Sequence, residues 1–103
     1  MKRIVVLGDK AAVSPQARTY AEYRVFAVVA RHTRRVQRVQ VVIEPIHGNT
    51  GCERLRCVVT VDLEHSRTLR VQGTGPHIYA AINRAVDHLG AAMERRLEMR
   101  QSS

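Results

Sequence analysis

The sequence is poor in aromatics, in cysteine and in acid. It has no tryptophan, one phenylalanine and three tyrosines, 4% aromatic residues in all. A core must then be built from valine, leucine, isoleucine, alanine and methionine. Tyr20, Tyr23 and Phe26 are expected in that core, which leaves rings scarce for reading bases by stacking. The only cysteines are Cys52 and Cys57. Their odd spacing along one strand puts them on opposite faces, about 16 Å apart, too far for a disulfide. Free, partly buried thiols fit a reducing compartment. No apolar run is longer than the six residues from Val25 to Ala30, whereas a membrane helix needs about 20. Four apolar residues between Arg3 and Gly8 are too few for a secretory signal. The cytoplasm is the expected location, with no membrane partner.

What is present is a compact apolar complement and a large basic excess. The chain has 103 residues, 45% of them hydrophobic, which fits one domain spanning residues 1–103 and argues against disorder. Seventeen basic residues against nine acids give a net charge of +8, and residues 1–46 alone carry nine Lys and Arg against three acids. Fifteen of the basic residues are arginine, which pairs with phosphate in a planar, two-point fashion better than lysine does. A GC-rich genome also favours arginine codons, but codon bias does not explain the clustering.

Hydrophobic periodicity predicts six elements. Residues 2–7 read as a strand, ended by Gly8 and Asp9. Ser14 and Pro15 form a helix start, with serine as N-cap and proline in the first turn. The helix is expected to run to about Arg34. At 100° per residue, Tyr23, Phe26, Val29, Ala30 and Thr33 fall on one side, while Arg24, Arg31 and Arg35 fall near one line opposite, with Arg34 beside them. Glu22 lands near the apolar edge, which the pattern does not explain. Strands are expected over 36–46, 53–63 and 67–72. In 53–63, Leu55, Cys57, Val59, Val61 and Leu63 alternate with polar residues, so one face packs and the other is wet. Pro45 and the segment His47 to Gly51 read as a loop and Glu64-His65-Ser66 as a hairpin turn. Gly73 to Pro76 read as a break before a helix over 77–99 with Ile78, Ile82, Ala85, Leu89 and Met93 inward. The class is α+β, in the order β-α-β-β-β-α, with a four-stranded sheet and both helices packed on one face.

No constellation points to catalysis, to a metal or to a cofactor. His47, Cys52 and Cys57 are the soft ligands closest in sequence, but a closed zinc site needs four, and this spacing is not a chelating turn. His65-Ser66 has no orienting third group, and no nucleophile elbow is present. The acids lie mostly beside arginines on wet faces, as Glu94 and Glu98 do beside Arg95. Gly73-Thr74-Gly75 precedes a helix without the lysine of a phosphate loop. No catalytic residue, cofactor or small-molecule substrate is expected.

The arginines remain. Arg24, Arg31, Arg34, Arg35 and Arg38 fall within 15 residues with no acid among them. A solvated helix face is the ordinary explanation of a charge run. Solvated faces usually mix signs, however, and like charges on adjacent turns repel by a few tenths of a kcal/mol per pair. A nucleic-acid partner accounts for a surface that tolerates that repulsion.

Tyr79-Ala80-Ala81-Ile82-Asn83 followed by Asp87-His88-Leu89 resembles the last helix of the ribosome hibernation-promoting factor family, which usually reads Tyr-x-Ala-Ile-Asp and then Asp-Lys-Leu. Ser14-Pro15 with its helix, Arg35-Val36 and Val39-x-Val41 are similar to the family's first helix and second strand, and Arg56-Cys57-Val58 to the third strand in one short branch. The likeness covers nearly the whole chain and is to a short form. It implies a protein that docks in the cleft of the small ribosomal subunit, covers the decoding region and idles the ribosome under stress, through basic residues on two helices against ribosomal RNA. Asn83 stands where the family has Asp, His88 where Lys is usual, and Ala91 and Ala92 where Arg or Gln often stand. One residue is inserted between Gly73 and Tyr79.

The expectation is therefore a non-enzymatic protein that binds the small ribosomal subunit and its RNA and suppresses translation. Arg24, Arg31 and Arg35 should carry the largest share, flanked by Arg34 and Arg38, with Arg84 and Arg95 from the second helix. The alternative is a protein-interaction module using the wet sheet face (Arg54, Arg56, Val58, Thr60, Arg70, Gln72) or an edge strand. A pocket lined by His47, Cys52 and His65 would favour an enzyme. The sequence leaves the oligomeric state open.

Overall fold

A computed structural model of the chain describes residues 4–8, 13–32, 34–47 and 53–101. Strand β1 (Ile4–Gly8) leads to helix α1 (Pro15–Val29), which tightens into a 3-10 turn over Ala30–His32. Strands β2 (Val36–His47), β3 (Glu53–Leu63) and β4 (Arg67–Gly75) follow, then helix α2 (Ile78–Gln101). The expected β-α-β-β-β-α order holds. The strands form one sheet in the order β1-β2-β3-β4. The first pair is parallel, with α1 in its crossover, and the other two are antiparallel. Lys2, Arg3, Asp9, Thr33, Cys52 and positions 48–51 of the expected loop lie outside the described residues, whereas Pro45 and His47, read with that loop, instead continue β2 opposite Leu55 and Glu53.

Alternation along the strands builds the core. Ile4, Val39, Val61 and Leu69 form one row across the sheet, and Val6, Val41, Val59 and Val71 the next. These rows join the inner residues of both helices in one buried cluster. The inward set read for β3, Leu55 to Leu63, packs as expected, with Leu55 half-buried at the end.

β4 is longer than its sequence suggests. The strand continues to Gly75, with Gly73 opposite Cys57 and Gly75 opposite Leu55. Both glycines serve a close approach rather than a chain break. A Cβ at Gly73 would stand 2.3 Å from the Ala85 nitrogen and 2.8 Å from the Ala81 carbonyl oxygen. α2 thus lies directly on β4, and Ala81 and Ala85 are themselves fully buried there.

α1 starts as expected. Ser14 is extended at its cap, and its Oγ accepts from the Ala17 N–H at 3.1 Å. The expected extent and face are both corrected. The α-helix stops at Val29, and the buried residues are Ala17, Ala21, Val25 and Val29, one per turn. Tyr23 and Phe26, expected inside, are exposed, and Tyr20 is only partly buried against the core. The physical reason is size. Alanine and valine let the helix settle against its neighbours, whereas rings on that line would hold it off. Glu22 is accordingly exposed, which removes the anomaly of a glutamate at an apolar edge.

Candidate nucleic-acid interface

One amide ties polar side chains of the two helices together. The Tyr20 hydroxyl donates to Asn83 Oδ1 at 2.6 Å, and Arg24 Nε donates to the same oxygen at 3.3 Å. The Tyr20 ring stands edge-on to Tyr79, with centroids 5.1 Å apart and planes at 75°. Asn83 carries no charge, so Arg24 is positioned without being neutralised. Two turns on, Arg31 and His32 share a concavity of about 240 Å³ with Arg24, across from Gly90, Met93 and Glu94 of α2. Gly90 supplies no side chain, and nothing stands within 4 Å of where its Cβ would be. The groove between the helices is therefore open where the cations gather.

His32 sits among these charges. Burial lowers its pKa below the ordinary 6.5, Arg35 and Arg31 lower it further, and Glu94 acts in the opposite direction. Arg34 and Arg35 follow in the turn into β2. Arg34 is exposed, while Arg35 is half-buried with its Nε 3.9 Å from Glu64 Oε1. The Arg35 carbonyl also accepts from the Glu64 N–H at 2.9 Å, which ties this turn to the β3–β4 hairpin.

The seven arginines expected to bind RNA thus fall in three places. Arg24, Arg31, Arg34 and Arg35 follow the inter-helix groove and its adjoining turn. They do not form a straight ridge on one helix, because only Arg24 lies in α1. Arg38 is exposed on the outer sheet face, level with Asp62 of β3. Arg84 and Arg95 occupy the flank of α2 that faces β4. An Arg84 guanidinium nitrogen donates to the Thr74 carbonyl at 3.2 Å, and Arg95 borders a hollow with Leu69, Ala92 and Arg96. His88 Nδ1 stands 2.7 Å from the Gln72 carbonyl. That oxygen can only accept, so the contact selects the Nδ1–H tautomer.

Residue patterns missed three features here. Asn83 was visible only as a departure from a family motif, and His32 carried no signal beyond its arginine neighbours. The exposure of Tyr23 and Phe26 was signalled by Ala17, Ala21, Val25 and Val29, spaced four apart, but ring size outweighed that spacing.

Other chemistry is sparse among the described residues. Cys57 is buried in the core, and burial pushes its thiol up to about 12, so it is inert as a nucleophile. No group of three or more His, Cys, Asp or Glu side chains there is placed to hold a metal ion. No helix among them is long and apolar enough to cross a membrane. Cys52 and the His47 side chain, named for an enzyme pocket, lie outside the described parts. On the outer sheet face Arg56 is paired with Glu44, at 2.9 Å through both Nε and a terminal nitrogen.

Comparison with known proteins places this architecture. A solved structure of a ribosomal subunit interface protein from Coxiella burnetii superposes with a TM-score of 0.75 at 14% identity, covering 92% of this chain and 97% of that one. The N-terminal domain of Thermus thermophilus Protein Y superposes with a TM-score of 0.67 at 26% identity, covering 91% and 96%. A search of curated protein sequences gives no match. Residues 4–101 match the family model described as sigma 54 modulation protein / S30EA ribosomal protein. With that match over nearly its whole length and the same fold in both structures, the chain belongs to the sigma 54 modulation protein / S30EA ribosomal protein family.

Proposed function

We propose that this protein is a non-enzymatic RNA-binding factor that docks on the small ribosomal subunit and suppresses translation. The observation that carries the reading is the convergence of Arg24, Arg31, Arg34 and Arg35 on the groove between the helices and the turn beyond it. Family membership and the ribosomal subunit interface protein of like fold support the ribosome as partner. Held by Asn83, Arg24 keeps its full charge toward an incoming phosphate. Glu94 is the acid bordering the groove itself, and Glu64 lies beside Arg35. Arg84 and Arg95 reach the same RNA only if it also passes over the β4 side of α2, and Arg38 only if it wraps the sheet.

The alternative, strand addition at the open β4 edge, is disfavoured by the side chains already there. His88 and Arg84 engage the Gln72 and Thr74 carbonyls, so part of the edge strand's bonding capacity is occupied.

The test is co-sedimentation with purified small subunits. Arg31→Glu with Arg34→Glu changes two exposed residues and leaves the Asn83 and Glu64 contacts intact. The double variant is expected to lose at least tenfold in affinity at low salt while keeping its melting temperature. Equal binding by the variant and the wild type would remove the groove from the account.

A further inference from the structure

We propose that Tyr23 and Phe26 form a stacking site for an unpaired nucleobase of single-stranded RNA, on the flank of α1 beside the cationic groove. This deepens the RNA-docking reading and rests on it.

The distribution of aromatic residues is the starting observation. The chain has one phenylalanine and three tyrosines, and all four lie on the two helices. None belongs to the buried core, which is built from valine, isoleucine, leucine, alanine, methionine and cysteine. Tyr23 is 70% exposed, Phe26 45% and Tyr79 39%. Tyr20 has a structural task, since its hydroxyl and ring hold Asn83 and Tyr79. Tyr23 and Phe26 have no such task. Neither is part of the core, and neither ring pairs with another aromatic. Leaving large rings in water forgoes the stabilisation their burial gives, so a pair of them on one face marks a contact surface.

The surroundings give the occupant. Tyr23 borders two neighbouring hollows. One, of about 590 Å³, is shared with Tyr20 and Pro15. The other, of about 440 Å³, is shared with Phe26, Ile4 and Glu22. A planar ring set between hollows suits a planar guest. Ala27, one turn on from Tyr23, borders the groove that holds Arg24 and Arg31, whereas Phe26 faces the β1 side with Ile4. Residues 1–46 carry a threefold excess of base over acid. An apolar protein surface would use the rings but gain nothing from the adjacent cations. Single-stranded RNA uses both, with phosphates along the groove and a base turned onto the rings. Glu22 repels phosphate from the smaller hollow, so the base is the part of the chain that enters it.

The experiment compares a fluorescent single-stranded RNA of about eight nucleotides with an abasic strand of the same length and charge. The wild type should prefer the base-bearing strand by about tenfold. Tyr23→Ala and Phe26→Ala, both at exposed positions, should each bring the two affinities together by weakening only the base-bearing strand. Tyr23→Phe should keep the preference. Equal, salt-sensitive binding of both strands by the wild type would overturn the stacking site while leaving RNA docking in place. No binding of either strand, and none of small subunits, would overturn both. Concentration-dependent self-association that Tyr23→Ala abolishes, without discrimination between the strands, would assign the rings to a second copy of the chain and overturn the proposal.

Discussion

Asn83 holds two α1 side chains with a single oxygen. An aspartate there would keep both contacts and add a charge, turning the Arg24 bond into an ion pair. Asn83→Asp is therefore expected to tighten the helix pair, raising the melting temperature slightly, and to weaken RNA binding. The loss should appear as a fall of about one in the slope of log affinity against log salt, because one cation no longer meets phosphate. An unchanged slope would show that Arg24 does not contact the backbone. His32 gives a second residue-scale expectation. Burial and two arginines depress its folded pKa below 6.5, so the unfolded chain binds the extra proton more readily. Its contribution to stability is complete above about pH 6.5 and is lost as the pH falls through the folded value. His32→Gln should flatten chemical denaturation midpoints between about pH 7 and pH 5. Phosphate in the groove favours the protonated ring, so RNA affinity should rise over the same fall in pH in the wild type and less in the variant.

The packing of α2 on β4 depends on glycine and alanine. Gly73→Ala would press a methyl group onto the α2 backbone at Ala85 and Ala81, and backbone cannot move aside as a side-chain tip can. A loss of about 2–3 kcal/mol is expected in denaturant melts. Gly90→Ala is the opposite case, with free space around the new methyl and a helix position that gains about 0.8–1 kcal/mol from the exchange. Contrasting signs for the two substitutions would confirm that they act through close approach and helix propensity respectively. The strands were legible because a period of two has only two phases, and the inward set from Leu55 to Leu63 left one choice. The length of β4 was not legible, since Gly73 reads as a breaker until the helix above it is placed. The face of α1 was the harder case. Apolar residues lie all round that helix, large rings on one side and a line of small residues on another, and contact with the sheet and α2 selected the small-residue line. The arginines followed that rotation from a supposed outer ridge to the groove.

At the scale of the molecule, a net charge of +8 draws any polyanion, and position decides what that charge can grip. Family and fold order were readable from the final helix motif and strand alternation, whereas the division of the arginines among groove, outer sheet and β4 flank needed coordinates. If all the expected sites acted together, about six phosphates would be neutralised, and raising salt from about 50 to 200 mM would cost roughly a thousandfold in affinity. If the groove and its turn act alone, about four phosphates are engaged and the loss is roughly a hundredfold. The most direct measurement is the affinity of the wild-type protein for purified small ribosomal subunits across that salt range. The groove account expects a straight log–log line with a slope of about −3 to −4. A flat line, or no binding at the lowest salt, would contradict it.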